Sequence, residues 1–377
     1  IQASSKASLE NAYGQAGGRL SGMVRALKKQ VVRALSLLEI GLDFSEEDID
    51  DFGRQAIQDS LREVVDFSSR LADTFEGTKR RQEGYLIALV GRSNVGKSTL
   101  LNRLVAQKVA ATSNRPQTTR NKITGVLHLP DAQIILVDTP GIHSSKRALN
   151  EMMVQASLST YADVDLILVL IDAVEGFRDE DEFVLKSMQH TTAPKILVIN
   201  KIDLVEKPKL LSLIAEAHDK SVFKEIIPVS ALKDDGMEPL KELIIGYLPE
   251  GPEYFPKDMI TDCTENFLLA EIIREKVLSL TRLEVPHSVA VVVGGMEEQD
   301  NGVVRIDATL YTEKASQKKI LIGQGGSMLK SIGRIARIEI EKRLGAKVYL
   351  KIFVKVKSNW RDQKQAIKEF VYPYDSL

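Results

Sequence analysis

The chain has 377 residues, with 51 Lys and Arg against 52 Asp and Glu and a net charge of −1, so it is long enough for two or three domains and its bulk charge singles out no partner. Its one cysteine, Cys263, excludes a disulfide framework and any multi-cysteine zinc site; it suits a reducing compartment and, in a polar stretch, reads as an idle thiol. The five histidines show no metal-ligand spacing, no apolar run reaches membrane-span length and no signal peptide is visible, while the opening Ile1 points to a start further upstream.

Residues 1–83 read as helices. Leu20, Met23, Val24, Leu27, Val31, Leu35 and Leu38 recur at helical spacing, with Gly41 as a stop. A second stripe runs through Ile57, Leu61, Val64, Val65, Leu71, Ala72 and Phe75. Between them Ser45-Glu-Glu-Asp48 resembles a capping box. The nearby acids lack the glycine and closing glutamate of a calcium loop, so they read as a solvated helix start. Lys79-Arg80-Arg81 connects to the next element, and nothing in this segment carries catalytic chemistry.

The apolar run 85–90 is followed by Gly91-Arg-Ser-Asn-Val-Gly-Lys-Ser98 and then by a helical pattern over 99–105. Strand, G-x-x-x-x-G-K-S, helix is the context of a phosphate-binding loop. Gly91 and Gly96 let the backbone curl its N–H groups toward an anion, and the helix N-terminus adds partial positive charge. Lys97 is placed to reach the β- and γ-phosphates, and the Ser98 hydroxyl to ligate Mg²⁺. From there to about Leu248 short apolar strands alternate with amphipathic helices, which predicts a mixed, mostly parallel α/β sheet with helices on both faces. Strands are expected at 123–129 and 133–138 as an antiparallel pair, and at 165–172, 195–200 and 224–229.

The polar loops after these strands carry the specificity. Asp138-Thr-Pro-Gly141 offers an acid for Mg²⁺ and the Gly141 N–H for the γ-phosphate. Thr118 or Thr119 can complete the Mg²⁺ shell, and Thr119 is preferred. Asp203 of Asn200-Lys-Ile-Asp203 can accept the two N–H donors on the guanine edge, which adenine lacks; Ser230-Ala231-Leu232 can offer a backbone N–H to the guanine oxygen. Each segment alone is common, but four in order point to GTP. The nucleotide set is thus Asn94, Val95, Gly96, Lys97, Ser98, Thr99, Asp138, Gly141, Asn200, Lys201, Asp203, Ser230 and Ala231, with Lys97, Thr119 and Gly141 as the catalytic members. Ile142 stands where many GTPases place a water-orienting glutamine, and an apolar residue cannot do that work. Slow unaided hydrolysis is expected, with His143 as a rival base or a solvent-facing switch residue.

After a Pro-containing linker over 251–265, a helix is expected at 267–280 and a strand at 288–293. Two alternating strands follow, at 304–310 and 348–356, flanking Ile320-Leu-Ile-Gly-Gln-Gly-Gly-Ser327 and a helix over 328–344. Helix, G-x-x-G, helix is the pattern of a KH nucleic-acid-binding fold, an α+β unit here assigned to 266–377. Ile322, Gly323, Gln324, Gly325, Gly326, Lys330 and Arg334 are the candidate RNA residues. From Lys318 to Lys368 there are fourteen Lys and Arg against three acids, a local footprint for phosphate in a neutral chain. Trp360 can stack on a base or serve the core.

Two resemblances follow from these residues. Leu35-Ser-Leu-Leu-Glu-Ile-Gly-Leu-Asp-Phe-Ser-Glu-Glu-Asp-Ile49 is similar to the all-α domain before the GTPase domain in the MnmE family of tRNA-modification GTPases, over residues 1–83. Residues 85–377 resemble the Era family, carried by 91–98, Pro116-Gln-Thr-Thr-Arg-Asn-Lys122, 138–142, 200–203, 230–232, 322–332 and 354–362. This implies a GTPase domain over 84–250 and a KH domain in a cytoplasmic factor that binds the 3′ end of small-subunit ribosomal RNA during assembly of that subunit and can contact the inner membrane peripherally. Related GTPases use the asparagine at Asn94 to help bind K⁺ beside the phosphates, so K⁺-stimulated hydrolysis is expected. Gln324 departs from the lysine usual in Era, and Ser93 from a common proline. An MnmE-like front on an Era-like body suggests a fusion, natural or man-made, whose orphaned helices are expected to self-associate or pack on the body. The alternatives are tRNA wobble-uridine modification and a GTP-gated RNA-binding switch with little turnover.

Overall fold

The computed structural model describes residues 85–113, 115, 118–141, 148–162, 164–282 and 285–371, together with Lys28, Val31, Arg62 and Val65. The stripes, caps and acidic cluster expected in residues 1–83 lie outside them, as do Pro116, Gln117, Ile142 and His143; Val31 and Val65 alone of the two stripes are described, both helical and exposed. Tyr85–Gly251 and Lys257–Leu377 form one compact unit, and Ile1–Gly84 with Pro252–Pro256 a second.

The first sheet of the larger unit has six strands: β1 (Leu86–Val90), β2 (Ile123–His128), β3 (Gln133–Asp138), β4 (Leu166–Asp172), β5 (Lys195–Asn200) and β6 (Glu225–Pro228), in the order β2-β3-β1-β4-β5-β6. Only the β2–β3 pair is antiparallel. β1 and β4 are buried along their whole length because helices cover both faces, which is why they read as continuous apolar runs rather than alternating ones. The helices are α1 (Lys97–Val105), α2 (Ala148–Ala162), α3 (Asp179–Ser187), α4 (Lys207–Asp219) and α5 (Met237–Tyr247). All the parallel strands point the same way, so the loops after β1, β3, β4, β5 and β6 gather along one edge.

The stretch read as a linker packs from Met259 onward. Val126 N–H donates to Ile260 O at 2.8 Å and the His128 ring meets Met259 O at 2.9 Å, so the free edge of β2 is covered. Cys263, partly buried, packs against the core of the first sheet with Asp262 3.8 Å from its sulfur, and burial pushes its thiol up to about 12, which leaves it inert. Thr264 then caps α6 (Glu265–Leu280), accepting from Phe267 N–H at 3.3 Å.

The second sheet has strands β7 (Ala290–Glu298), β8 (Val304–Thr312) and β9 (Val348–Val356) in that order, with β7–β8 antiparallel and β8–β9 parallel. β7 starts later and runs further than its apolar residues suggest; Val285–Ser288 is a helical turn, and the strand passes a bulge between Val293 and Gly295 before ending on solvent-facing glutamates. Between β8 and β9 come α7 (Ala315–Ile322), the G-x-x-G turn and α8 (Ser327–Leu344); α9 (Lys364–Phe370) follows β9. One face of this sheet packs on α6 and α8 through Ile306, Ala308, Leu310, Ile332, Ala336 and Ile340.

Trp360 is not a base-stacking surface. It is fully buried, its Nε1–H donates to Ser288 O at 2.9 Å, its ring meets Phe370 edge-on at 6.1 Å, and the Arg120 guanidinium lies 5.8 Å from its centre. With Leu149 and Met153 of α2 it belongs to a small cluster shared by both halves of the unit. Trp360→Ala should therefore lower unfolding stability by about 3–5 kcal/mol. Chemical denaturation should show this as a lower midpoint.

Candidate nucleotide and nucleic-acid sites

The phosphate loop is shaped by its glycines. Gly91 has φ +149°, and a Cβ there would lie 2.5 Å from Leu170 O; Gly96 has φ +99°, and a Cβ would lie 2.2 Å from Asn200 Nδ2. No larger residue fits either position. Asn94, at the exposed tip, takes φ 65°, and Val95 beside it is fully buried, anchoring the loop to the core. α1 begins at Lys97, so the first free N–H groups of that helix, from Lys97, Ser98 and Thr99, face the loop. Lys97 Nζ donates to Gly91 O at 2.7 Å and Arg92 O at 3.0 Å, and burial lowers its pKa to about 8 against the pull of Asp138. An anion beside Nζ would push that value back up toward the ordinary lysine range.

Ser98, Thr119 and Asp138 converge from three elements. Ser98 Oγ is 2.8 Å from Thr119 Oγ1 and donates to Asp138 Oδ2 at 2.6 Å; Thr119 Oγ1 donates to the same oxygen at 3.3 Å. Thr118 instead turns away, donating to Arg115 O at 2.6 Å. Asp138 is fully buried, burial pushes its carboxyl up, and its Oδ1 is buried with no hydrogen-bond partner. Two hydroxyls and a carboxylate with an unsatisfied oxygen are hard donors that fit Mg²⁺. Gly141 lies against the phosphate loop, where a Cβ would be 2.4 Å from Ser93 Oγ and 3.0 Å from Ser93 N.

On the base side, Asn200 is 2% exposed and spends its side chain on backbone: Nδ2 donates to Val95 O at 2.8 Å, while Oδ1 accepts from Lys201 N–H at 2.8 Å and Ala231 N–H at 3.1 Å. Its place in the structure is thus a tie among three loops rather than an open polar edge. Asp203 is exposed and accepts from Ser230 Oγ at 2.6 Å through Oδ1. Arg103 of α1 donates to Ala231 O at 3.0 Å and Leu232 O at 2.8 Å, holding the last loop. The sequence reading missed Asp172, which pairs with Lys201 Nζ at 2.6 Å and so aims its stem along the site. The signal was an acid closing an all-apolar strand.

The G-x-x-G turn joins α7 to α8. Gly323, Gly325 and Gly326 have φ of 72°, 57° and 83°, and the spaces where Cβ atoms would sit at Gly325 and Gly326 are open. Gln324, Gly325, Lys330 and Arg334 are exposed, and the last two share one face of α8 at i, i+4 spacing. Ile322, partly buried, packs on the core below the turn. Part of the local positive charge is spent internally: Arg343 pairs with Glu265 at 2.6 Å and Arg361 pairs with Glu313.

A family model described as "50S ribosome-binding GTPase" matches residues 86–201, and one described as "KH domain" matches 284–361. The chain is 50% identical over 294 residues to GTPase Era of Geobacter sp., spanning 78% of this chain and 99% of that protein. The chain belongs to the Era GTPase family. Era of Geobacter metallireducens is 48% identical, with 76% of this chain and 96% of that one covered. Two solved structures are similar over 76% of this chain and 98% of theirs at 42% identity: an Aquifex aeolicus Era variant bound to GDP·AlF4⁻, TM-score 0.74, and Era in complex with MgGDPNP and nucleotides 1506–1542 of 16S ribosomal RNA, TM-score 0.75.

In this Era-family chain the candidate nucleotide site is walled in part by α6, the helix before the segment matched as a KH domain. A cavity of about 860 Å³ is lined by Asn94, Lys97, Ser98, Thr119, Gly141, Lys201 and Leu232, and also by Glu275, Leu278 and Ser279 of α6. Glu275 Oε2 accepts from Thr112 N–H at 2.8 Å, in the segment leading to Thr119. Its Oε1 accepts from Lys108 at 2.6 Å and Lys276 at 2.8 Å. Arg274 donates to Thr118 O, and Arg120 donates to Val289 O at 2.7 Å. Burial pushes the Glu275 carboxyl up, but the bonds from Lys108, Lys276 and Thr112 outweigh it and leave it below the ordinary glutamate value.

A carboxyl depressed on folding contributes stability above its unfolded value, about 4.3, and loses it as pH falls through the folded one. Exchange of the Thr112 amide should therefore speed up as pH drops below about 4.3, beyond the intrinsic pH trend. Glu275→Gln should remove that acid-linked step and weaken the contact by about 1.5–3 kcal/mol at pH 7.

Proposed function

We propose that this Era-family GTPase binds GTP along the edge of its first sheet, hydrolyses it slowly, and grips single-stranded RNA, the 3′ end of small-subunit ribosomal RNA, through its KH fold during assembly of that subunit. The observation that carries this is the shared cavity: phosphate-loop, Thr119 and base-loop residues form most of it, and a KH helix closes it. A ligand there bears on Thr119 and α6 together, so nucleotide state and RNA grip become linked. The division into a GTPase domain over 84–250, a linker over 251–265 and a KH domain over 266–377 is part of this reading.

Phosphoryl transfer depends on positioning and on charge stabilisation. Backbone N–H groups of residues 94–99 and the Lys97 ammonium would hold the β- and γ-phosphates. Ser98, Thr119 and, through water, Asp138 would hold Mg²⁺, which supplies charge neutralisation at those oxygens when bound. Gly141 N–H would meet the γ-phosphate. Asp203 would accept the guanine N–H pair, Ala231 N–H and its neighbours would face the guanine oxygen, and Asn200 and Ser230 would keep those loops in place. Ile322, Gly323, Gln324, Gly325, Gly326, Lys330 and Arg334 would line the RNA groove, the glycines admitting the sugar-phosphate backbone.

Asn94 at the loop tip, together with Ile142, supports K⁺ as the missing charge. A cytoplasmic location with peripheral contact at the inner membrane belongs to the same reading; among the described residues no helix is long and apolar enough to cross a membrane. The MnmE-like front segment, its origin by fusion and self-association through residues 1–83 are supported by the 35–49 similarity and the apolar stripes. They leave tRNA modification as the second reading. Pull-down separates the two: recovery of small subunits supports the first, recovery of the flavoprotein partner of MnmE the second.

Asp203→Asn should cost guanine nucleotide about 3 kcal/mol, roughly a hundredfold in Kd, through two lost charge-assisted bonds, with little effect on the weak binding of ATP. Competition titrations of GTP and ATP check this. Single-turnover hydrolysis should run faster in K⁺ than in matched Na⁺ buffer, and Asn94→Ala should erase the difference.

A further inference from the structure

Along β9 the side chains alternate: Val348, Leu350, Ile352 and Val354 enter the core, so Tyr349, Lys351, Phe353 and Lys355 occupy the opposite face of the sheet. Toward one end that face is covered, since Ala290, Val292 and Tyr311 pack with Trp360 and Phe370. The rest is open. Tyr349 and Phe353 are 56% and 42% exposed, and Lys351 Nζ sits 4.7 Å from the centre of the Phe353 ring. Across the ladder Tyr349 faces Arg305 and Phe353 faces Thr309, while Asp307, the acid beside Lys351, is already paired with Arg305 at 3.1 Å.

Lysines on an edge strand have an ordinary explanation, because they discourage pairing with another chain. Exposed rings beside them do the opposite and call for a ligand. Two aromatic faces four residues apart on a strand, roughly 13 Å from one another, offer stacking positions for two separate bases, and the alternating lysines track a phosphate backbone. The same strand also backs the helices beside the turn: its core-side Ile352 packs on the core that Ile322 and Met328 share, and a Cβ at Gly333 of α8 would lie 3.5 Å from Ile352 Cδ1. A G-x-x-G loop clamps about four nucleotides, so a longer strand needs further surface, and β9 is the edge strand of the same sheet.

We propose that the outer face of β9, centred on Tyr349, Lys351 and Phe353, is a second single-stranded RNA surface that stacks bases of the strand after it leaves the KH groove. This rests on the RNA-binding reading above and adds to it a subsite with its own chemistry.

The test uses the full chain and unstructured oligoribonucleotides of four and twelve nucleotides from the 3′ end of small-subunit ribosomal RNA. Tyr349→Ala with Phe353→Ala removes two solvent-facing rings and leaves the core untouched. It should weaken the twelve-nucleotide strand by roughly tenfold or more, with the four-nucleotide strand unchanged. Lys351→Ala with Lys355→Ala should flatten the salt dependence of the longer strand alone, by roughly 1.4 in the slope of log K against log salt. The proposal falls if the ring variant leaves the longer strand unaffected, or if it weakens both lengths alike. It also falls if naked RNA is unaffected while binding to whole small subunits or to anionic phospholipid vesicles drops, because the face then holds a protein or a membrane. Failure of the unaltered chain to bind either length overturns the RNA reading itself, whereas a Gly325→Asp change that weakens both lengths upholds that reading independently of β9.

Discussion

The nucleotide site depends on one buried amide. Asn200 closes β5, and its three side-chain hydrogen bonds reach the phosphate loop at Val95, its own loop at Lys201 and the last loop at Ala231. Gly96 makes room for it, since a Cβ there would overlap Nδ2. An amide carries its donor and its acceptor on two separate atoms, so Nδ2 can reach a carbonyl on one loop while Oδ1 accepts from N–H groups of two others, a span a single hydroxyl oxygen does not have. Remove it and three buried backbone groups lose partners, at a cost that grows with the low local dielectric. The loops proposed to hold phosphate and base are therefore not separate modules here; they share one fastener.

A second set of contacts joins this site to the C-terminal half. Arg120 follows Thr119 directly and reaches Val289 O across the boundary, and Asn121 donates to Val371 O at 2.6 Å. Arg274 and Glu275, adjacent on α6, hold Thr118 and Thr112 from the other side. The segment that carries Thr119 is thus held on one flank by β3 and Ser98 and on the other by α6 and the C-terminal half of the unit. A strand of backbone with two sets of partners is the kind of element whose equilibrium both ligands can bias.

The charged residues of the C-terminal half divide along the same line. Arg343 and Arg361 are spent on carboxylates within the unit, and Lys108 and Lys276 hold Glu339 as well as Glu275. Lys330 and Arg334 beside the G-x-x-G turn, and Lys355 and Lys357 at the end of β9, face solvent. The net positive field of this half comes from the second group, because paired charges leave little.

Much of this was legible in the residues alone. The succession of most strands along the chain, the β2–β3 pair, the GTP-type segments and the KH pattern follow from period, spacing and turn chemistry, all of which are local in the chain. Thr119 was separable from Thr118 only as a preference, and the structure brings Thr119 and not Thr118 to Asp138. What the chain could not disclose was every partner distant in sequence. Asn200 as a tie, Asp172 as the anchor of Lys201, Trp360 as core and Cys263 as a thiol packed on the first sheet each depend on residues tens of positions away, whose approach is set by packing of the sheets and not by local propensity. Bulk charge likewise cannot reveal which arginines are paired, since pairing is a property of distance. The sequence by itself determined the elements and the chemistry they carry; the tertiary structure alone decided which of those groups meet, because only closure of the fold sets distances between residues far apart along the backbone.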